Sequence, residues 1–169
     1  MLREVVFTSY LFDGYPTALE GFRQLGLVAG KPGRTIEDVD YSAESVAAWR
    51  KRGEGLCRMI YGPQYDNLSE MVLQFAPELS DAMLVEGYGK VLSRDRLDPR
   101  FRELVVVGLL ATKRRPRQLL SHCLGAMRLG ASEKELHEMI EAATEDNGGE
   151  VRENSFVVLA DSIRRFAKP

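Results

Sequence analysis

The amino-acid sequence predicts an all-α fold, a bundle of about seven to nine helices. Three observations support this fold class. Helix-start and helix-stop signals recur along the chain, apolar residues repeat at helical spacing, and the alternating pattern of strands is scarce. With 169 residues, 44% of them hydrophobic and 28% charged, the chain is long enough for one domain, residues 1–169, with a sizeable core.

Two helices are predicted in the N-terminal segment, over residues 2–12 and 16–26. Residues 13–16 between them read Asp-Gly-Tyr-Pro, which is typical of a turn. Residues 27–40 contain two glycines and a proline, and this composition indicates an irregular connection.

The next helix is expected to be capped by Ser42 and to run through Trp49 and on to Tyr61. Gly53 and Gly55 should weaken it, because glycine in a helix interior costs conformational entropy. Two further helices are predicted, over residues 67–75 and 78–92.

A well-marked helix start occurs at Asp98, which can act as N-cap with Pro99 at the first helical position. The apolar run Leu104–Ala111 also suits a buried strand by residue type. The cap, the length and the lack of a nearby partner strand favour a helix over residues 99–113 that is buried on most sides. The run is far too short to span a membrane, so no membrane association is expected.

The C-terminal part predicts three more helices. One runs from Pro116 to about Leu129 and ends at Gly130, which suits a left-handed residue. Ser132 to Glu135 forms the pattern of a capping box that opens the next helix. The last helix covers about residues 153–167. Apolar stripes at helical spacing support these last two helices, with Leu136, Met139, Ile140 and Ala143 in the first and Phe156, Leu159, Ala160 and Ile163 in the second.

His122 is the best candidate for chemistry, because the other histidine, His137, falls on a charged helix face. Arg115 and Gln118 share one helical stripe with His122, and small residues continue it. Two interpretations are open. His122 is either a core histidine held by a hydrogen bond or a general acid or base, since an imidazole exchanges protons near neutral pH.

Glu103 is the partner suggested for His122, as the only carboxylate within the preceding helix. Counted from the connection, Glu103 lies about ten residues away and His122 about six, an offset of roughly one helical turn. A water-bridged contact is therefore expected rather than a direct hydrogen bond, unless the two helices are staggered.

A basic cluster of Lys113, Arg114, Arg115 and Arg117 lies at the mouth of this helix pair. It is either solvated surface or a site that attracts a carboxylate-bearing substrate by charge and bidentate hydrogen bonding. Nucleic acid is not expected as a partner, because the cluster has no interleaved aromatic residues and the formal net charge is -2.

The two cysteines, Cys57 and Cys123, lie far apart in sequence and have neither a metal-ligand nor a CxxC spacing. They predict no disulfide scaffold, no metal site and no cofactor, and Cys123 is expected to be a buried, inert thiol. The N-terminus has no obvious signal-peptide cleavage site, so a cytoplasmic protein is expected.

Three segments in this order, RGEGLCRMIYGPQY, LDPRFRELVVVGLLA and RQLLSHCLGAMRLGASEKEL, resemble the carboxymuconolactone decarboxylase family, which shares its fold with the AhpD-like alkylhydroperoxidases. The resemblance covers about residues 50–144. It implies an all-α AhpD-like domain that assembles into homo-oligomers, trimers or hexamers, with sites near subunit interfaces. Residues 1–26 resemble the usual C-terminal segment of the family, so the resemblance also implies a circular permutation.

The chain departs from the peroxidase branch of the family, which carries a CxxC where this sequence has Arg115 and Gln118. Glu103 and His122 match the residues of that branch's proton relay. The resemblance thus implies a cofactor-independent lyase-type enzyme acting on a small organic acid or lactone. His122 would shuttle a proton, Gln118 would orient the substrate, and Arg115 or Arg117 would hold a carboxylate.

Two other functions remain open. One is a non-catalytic oligomeric binding or structural protein, with His122 packed in the core. The other is residual peroxidase activity through Cys123 or Cys57, which the missing dithiol disfavours.

Overall fold

A computed structural model describes residues 1–30 and 44–168. These residues contain helices and no strand, which confirms the predicted all-α fold and the expected number of helices. The α-helices are α1 (Leu2–Ala29), α2 (Val46–Tyr61), α3 (Tyr65–Phe75), α4 (Pro77–Ala82), α5 (Pro99–Thr112), α6 (Pro116–Arg128), α7 (Glu133–Thr144) and α8 (Gly149–Phe166). A 3₁₀-helix (Gly62–Gln64) and a π-helix (Met83–Leu92) complete the set.

The N-terminal segment is one helix with a kink rather than two separate helices. Gly14 has φ 80° and ψ 172°, a left-handed conformation that interrupts α1 where the turn was predicted. Beyond the kink α1 continues to Ala29, three residues past the expected end. The rest of the predicted connection and the expected cap at Ser42 lie outside the described residues, and α2 is capped by the side chain of Ser45.

The helix predicted over residues 78–92 changes type at Met83, where α4 gives way to the π-helix. The π-helix packs against α2 at two glycines. A Cβ atom on Gly53 would overlap the carbonyl oxygen of Leu84, and one on Gly89 would overlap the carbonyl oxygen of Trp49. Gly53 permits backbone-to-backbone packing, and α2 runs unbroken to Tyr61, as predicted.

Helix α5 lies at the centre of the fold, in contact with α1, α6, α7 and α8. Its cap is the predicted one, because the Asp98 carboxylate accepts hydrogen bonds from the backbone N–H groups of Arg100 and Phe101. Val106 and Val107 are fully buried, so the apolar run that also suited a strand forms the core-facing part of a helix. None of the described helices is long and apolar enough to cross a membrane.

The C-terminal helices follow the sequence closely. Helix α6 packs on α2, α5 and α8. The capping box at the start of α7 is present, with Ser132 and Glu135 bonding each other's backbone N–H groups. Helix α8 begins at Gly149, four residues before the predicted start. The hairpin of α5 and α6, covered by α1, α2 and α8, places the candidate site.

Candidate functional site

Glu103 and His122 form a direct hydrogen bond, with 2.7 Å between Glu103 Oε2 and His122 Nδ1. Both residues are buried, with exposed fractions of 2% and 4%. The expectation of a water-bridged contact is therefore wrong. The two helices meet in the staggered arrangement that a direct contact requires.

The turn between α5 and α6 produces this stagger. Arg114 adopts a left-handed φ of 52°, and the chain folds back so that the Arg115 N–H donates to the Leu110 carbonyl oxygen at 3.2 Å. Glu103 precedes Leu110 by seven residues and His122 follows Arg115 by seven. The two side chains thus lie level, because the helices are in register from Leu110 and Arg115 rather than from the ends of the connection.

The carboxylate sets the protonation pattern of the imidazole ring. With Glu103 ionised, Nδ1 of His122 must carry the hydrogen, which leaves the lone pair on Nε2. No hydrogen bond to Nε2 is formed anywhere in residues 1–30 or 44–168. This ring nitrogen is the one available to give or take a proton, and the arrangement is that of an oriented general acid or base.

Two aromatic rings pack edge-on against the His122 imidazole. Phe12, from the first part of α1, and Tyr61, at the end of α2, each have ring centroids 6.0 Å from that of His122. These rings exclude water from the imidazole and restrict the directions from which a ligand can approach it. The Glu103–His122 pair therefore lies in a largely apolar setting, where electrostatic interactions are strengthened.

Tyr61 is connected to a second tyrosine. The hydroxyl of Tyr88, in the π-helix, donates to the Tyr61 hydroxyl oxygen at 3.2 Å. Burial raises the pKa of Tyr61 to about 12. The pKa of Tyr88 lies well above its ordinary value, because burial and the negative charge of Glu103 both disfavour the phenolate. Both phenols are thus hydrogen-bond donors and acceptors near neutral pH rather than bases.

Neither cysteine is set up as a nucleophile. Cys57 and Cys123 are both fully buried. Burial raises the pKa of each thiol to about 12, and in Cys57 the charge of Glu103 adds to the effect. The expectation that Cys123 is a buried thiol is confirmed. Across the described ranges, no three side chains of the metal-ligating types cluster closely enough to hold a metal ion.

The other predicted site residues lie outside this buried pair. Arg117 and Gln118 are exposed on the first turn of α6, and Arg115 is exposed at the N-cap position before it. Arg115 lines a groove between the α5–α6 turn and α8, which also includes Glu150. Of the five site residues suggested by the sequence, the structure joins only Glu103 and His122 directly.

Gly125 explains the small residues that follow His122. A Cβ atom at this position would lie 2.5 Å from Ile60 Cγ2 and 3.1 Å from Glu103 Oε2. Glycine is thus required both for α6 to pack on α2 and for the carboxylate to lie beside the imidazole. The small-residue stripe serves close helix packing around the pair.

Sequence reasoning missed three residues of this site: Phe12, Tyr61 and Tyr88. Tyr61 had a signal, since it lies within the segment RGEGLCRMIYGPQY that carries part of the family resemblance. Phe12 and Tyr88 had none, because their contacts arise from the packing of α1 and the π-helix on distant parts of the chain.

The structure is that of an all-α protein with a buried carboxylate–imidazole pair between two consecutive helices. The sequence matches the model of the Carboxymuconolactone decarboxylase family over residues 77–161, just over half of the chain. The chain therefore belongs to this family, as the resemblance indicated. No curated protein matches the chain. The matched region includes most of α8, which the resemblance over residues 50–144 did not cover, and the circular permutation stays a prediction.

Proposed function

We propose that this protein is a cofactor-independent lyase-type enzyme that uses His122 as general acid and base on a small organic acid or lactone. The observation that carries the proposal is the buried hydrogen bond from His122 Nδ1 to Glu103, which leaves Nε2 without a protein partner in the described residues. Such a pair holds the ring orientation fixed and stabilises the imidazolium that forms when Nε2 takes a proton.

The pair suits a reaction that moves one proton to or from carbon. In a decarboxylation, the bond to the carboxylate breaks, CO₂ leaves, and its electron pair remains on the substrate carbon. Nε2 of His122 takes a proton from solvent before this step, which makes the ring an imidazolium. It then gives that proton to the substrate carbon, and the imidazole is left neutral for the next cycle. Glu103 keeps its charge throughout and lowers the free energy of the imidazolium form.

The substrate-binding roles remain as the sequence suggested them. Gln118 would orient the substrate, and Arg115 or Arg117 would attract its carboxylate to the start of α6, where the helix N-terminus also favours anions. The exposure of all three side chains leaves them accessible to a ligand. Arg115→Gln and Arg117→Gln should each raise KM for an anionic substrate more than they lower kcat.

The central test is a turnover screen on lactones and dicarboxylates with the parent chain and His122→Ala. We expect the variant to lose about 10²–10⁴-fold in kcat/KM, the usual contribution of general acid–base catalysis. His137→Ala is the matched control, because His137 is exposed and stacks on Phe156 with ring centroids 4.4 Å apart. A His122→Ala variant with the same kcat/KM as the parent would show that His122 is not the general acid or base.

A non-catalytic role is the second candidate, and the edge-on packing of Phe12 and Tyr61 around His122 favours it. In that case the imidazole only joins α5 and α6 through its hydrogen bond. Small carboxylates and lactones would then leave the melting temperature unchanged, and His122→Asn would lower the stability of the fold without changing its assembly.

Assembly into trimers or hexamers is also part of the proposal. An apolar groove between α1, α5 and α7 is open on this chain and is lined by Leu2, Val5, Phe101, Val105, Leu109 and Met139. A neighbouring subunit could cover it. Light scattering after size-exclusion chromatography should give three or six times the chain mass at micromolar concentration; a monomer there would contradict the assembly.

A further inference from the structure

A third groove lies near the Glu103–His122 pair, and Tyr61 is part of its lining. It is formed by the 3₁₀-helix, α3, α6 and the end of α8, and its volume is about 690 Å³. Binding sites for small molecules commonly occupy about 300–1,000 Å³. Polar and cationic side chains line it together with apolar ones, and they include Gln64, Asn67, Ser121, Arg128, Arg165 and Lys168, with no carboxylate among the described lining residues. Its charge therefore favours an anion.

Arg128 is the cation of this groove that is partly buried. Its Nη1 atom donates to the Ile60 carbonyl oxygen at 2.6 Å, at the C-terminal end of α2. No carboxylate in the described ranges lies within ion-pair distance of its guanidinium. Burial lowers the pKa of Arg128, which means that the charged form has lost solvation and has no counter-ion to replace it.

The local backbone makes room for this arginine. Gly62 has a left-handed φ of 53°, and a Cβ atom there would lie 2.9 Å from Arg128 Nε. By contrast, Arg165 at the same groove already pairs with Asp161, with 2.8 Å between Nη2 and Oδ2. Arg128 thus has hydrogen-bond capacity left for a ligand, whereas Arg165 is largely neutralised.

Tyr61 connects the groove to the histidine. It lines the groove, and its ring packs against His122 with centroids 6.0 Å apart. Because its oxygen accepts a hydrogen bond from Tyr88, its own hydroxyl hydrogen is available to a bound molecule. A ligand in the groove would therefore meet a charged anchor at Arg128 and a neutral donor at Tyr61.

We propose that this groove binds the carboxylate of a small organic anion, with Arg128 holding the carboxylate and Tyr61 donating a hydrogen bond to the part of the ligand nearer His122. The site differs from the exposed cluster at the start of α6. The inference rests on the proposed function only in so far as the bound anion is then a substrate for His122. Anion binding at Arg128 itself can be measured without turnover.

The test uses calorimetry with adipate, a six-carbon dicarboxylate, at constant ionic strength on the full chain. We expect Arg128→Gln to weaken adipate binding by about tenfold or more, because a charge-assisted bidentate contact is lost. Arg128→Lys should lie between the two, since it keeps the charge but not the planar fork. Tyr61→Phe should weaken binding about threefold through one lost hydrogen bond. Arg23→Gln, on exposed α1, is the control and should bind as the parent does.

Melting curves of each variant accompany the titrations, because Arg128 also bonds the end of α2, and Arg128→Lys retains a donor there. The proposal is overturned by any of three results: no saturable binding of adipate to the parent, equal binding of the neutral analogue adipamide, or a loss of adipate affinity in Arg115→Gln with none in Arg128→Gln.

The two proposals can fail independently. If His122→Ala is as active as the parent while Arg128→Gln loses adipate affinity, the proposed function is wrong and the groove remains an anion site. If His122→Ala is inactive and Arg128→Gln binds normally, only the groove fails.

Discussion

Two consecutive residues of α5 are both buried and charged, yet their surroundings differ. Arg102, 1% exposed, donates to Glu4 Oε2 at 3.1 Å, to Thr8 Oγ1 at 3.0 Å and to the Arg94 carbonyl oxygen at 3.1 Å. Arg94 in turn binds Glu4 through two hydrogen bonds. This group, the Glu4 clamp, ties α1 to α5, and both terminal nitrogens of Arg102 are occupied.

Glu103 lies about 100° around the helix from Arg102, and its charge partner is His122. The pair extends to an imidazole nitrogen that forms no hydrogen bond in the described parts of the chain. The two networks differ in the group that is left without a partner within the described residues. In the Glu4 clamp it is the buried Nε of Arg102, a donor that keeps its hydrogen near neutral pH. In the pair it is Nε2 of His122, which can take or give a proton. The difference predicts that variants at these neighbouring positions affect different measurements.

Glu103→Gln should have the largest effect, and it should appear in activity. The amide keeps the shape of the side chain but cannot stabilise an imidazolium, so turnover should fall by about 10²–10⁴-fold. Steady-state kinetics on the substrate found by screening measures this. The melting temperature should move little. An activity within threefold of the parent would show that the pair is structural like its neighbour.

Arg102→Met should act on stability instead. We expect a loss of about 3 kcal/mol in the free energy of unfolding, at the low end for a broken buried ion pair because Arg94 still binds Glu4. Urea unfolding followed by circular dichroism measures it. Activity per folded molecule should stay within tenfold of the parent, and a larger loss would mean that the clamp also sets the site.

Acid should release the Glu4 clamp when the pH falls far enough to protonate Glu4. Burial opposes ionisation of Glu4, but hydrogen bonds and charge from Arg94 and Arg102 outweigh it and hold its pKa below the ordinary value. A carboxyl with a lowered folded pKa contributes stability that is complete above the unfolded pKa of about 4.3 and is lost as the pH falls through the folded pKa.

The unfolding free energy should therefore decline below about pH 4.3 in the parent and decline less steeply in Glu4→Gln. Glu153→Gln, which removes an exposed carboxylate of α8, is the control and should follow the parent. An equal decline of the unfolding free energy with falling pH in all three proteins would show that Glu4 does not contribute to the acid dependence of stability.

The smallest expected effect concerns the thiols near the pair. With pKa values raised to about 12 by burial, Cys57 and Cys123 should react very slowly with iodoacetamide at pH 8. Mass spectrometry should find both unmodified in the native protein and labelled in denaturant. Fast labelling of either cysteine in the native protein, or loss of activity on labelling, would support the peroxidase alternative.

The sequence predicted most helices and both members of the pair, since caps, prolines and apolar stripes are local signals. Glu103 and His122 were both identified, but their direct contact depends on the left-handed turn at Arg114. No residue type in that connection predicts a left-handed conformation there. The partners of Arg102 and the aromatic walls of the site come from distant segments. Their positions follow from packing between helices, which one sequence does not reveal.

The backbone contact between α2 and the π-helix also governs which substitutions the chain can accept. A Cβ atom added at Gly55 or Gly87 would meet open space, so alanine should be tolerated at both, whereas Gly53 and Gly89 face backbone atoms directly. Each helix therefore carries one replaceable and one irreplaceable glycine two residues apart. Since Tyr61 and Tyr88 belong to these same two helices, the close backbone contact at Gly53 and Gly89 also holds the two phenols at hydrogen-bonding distance.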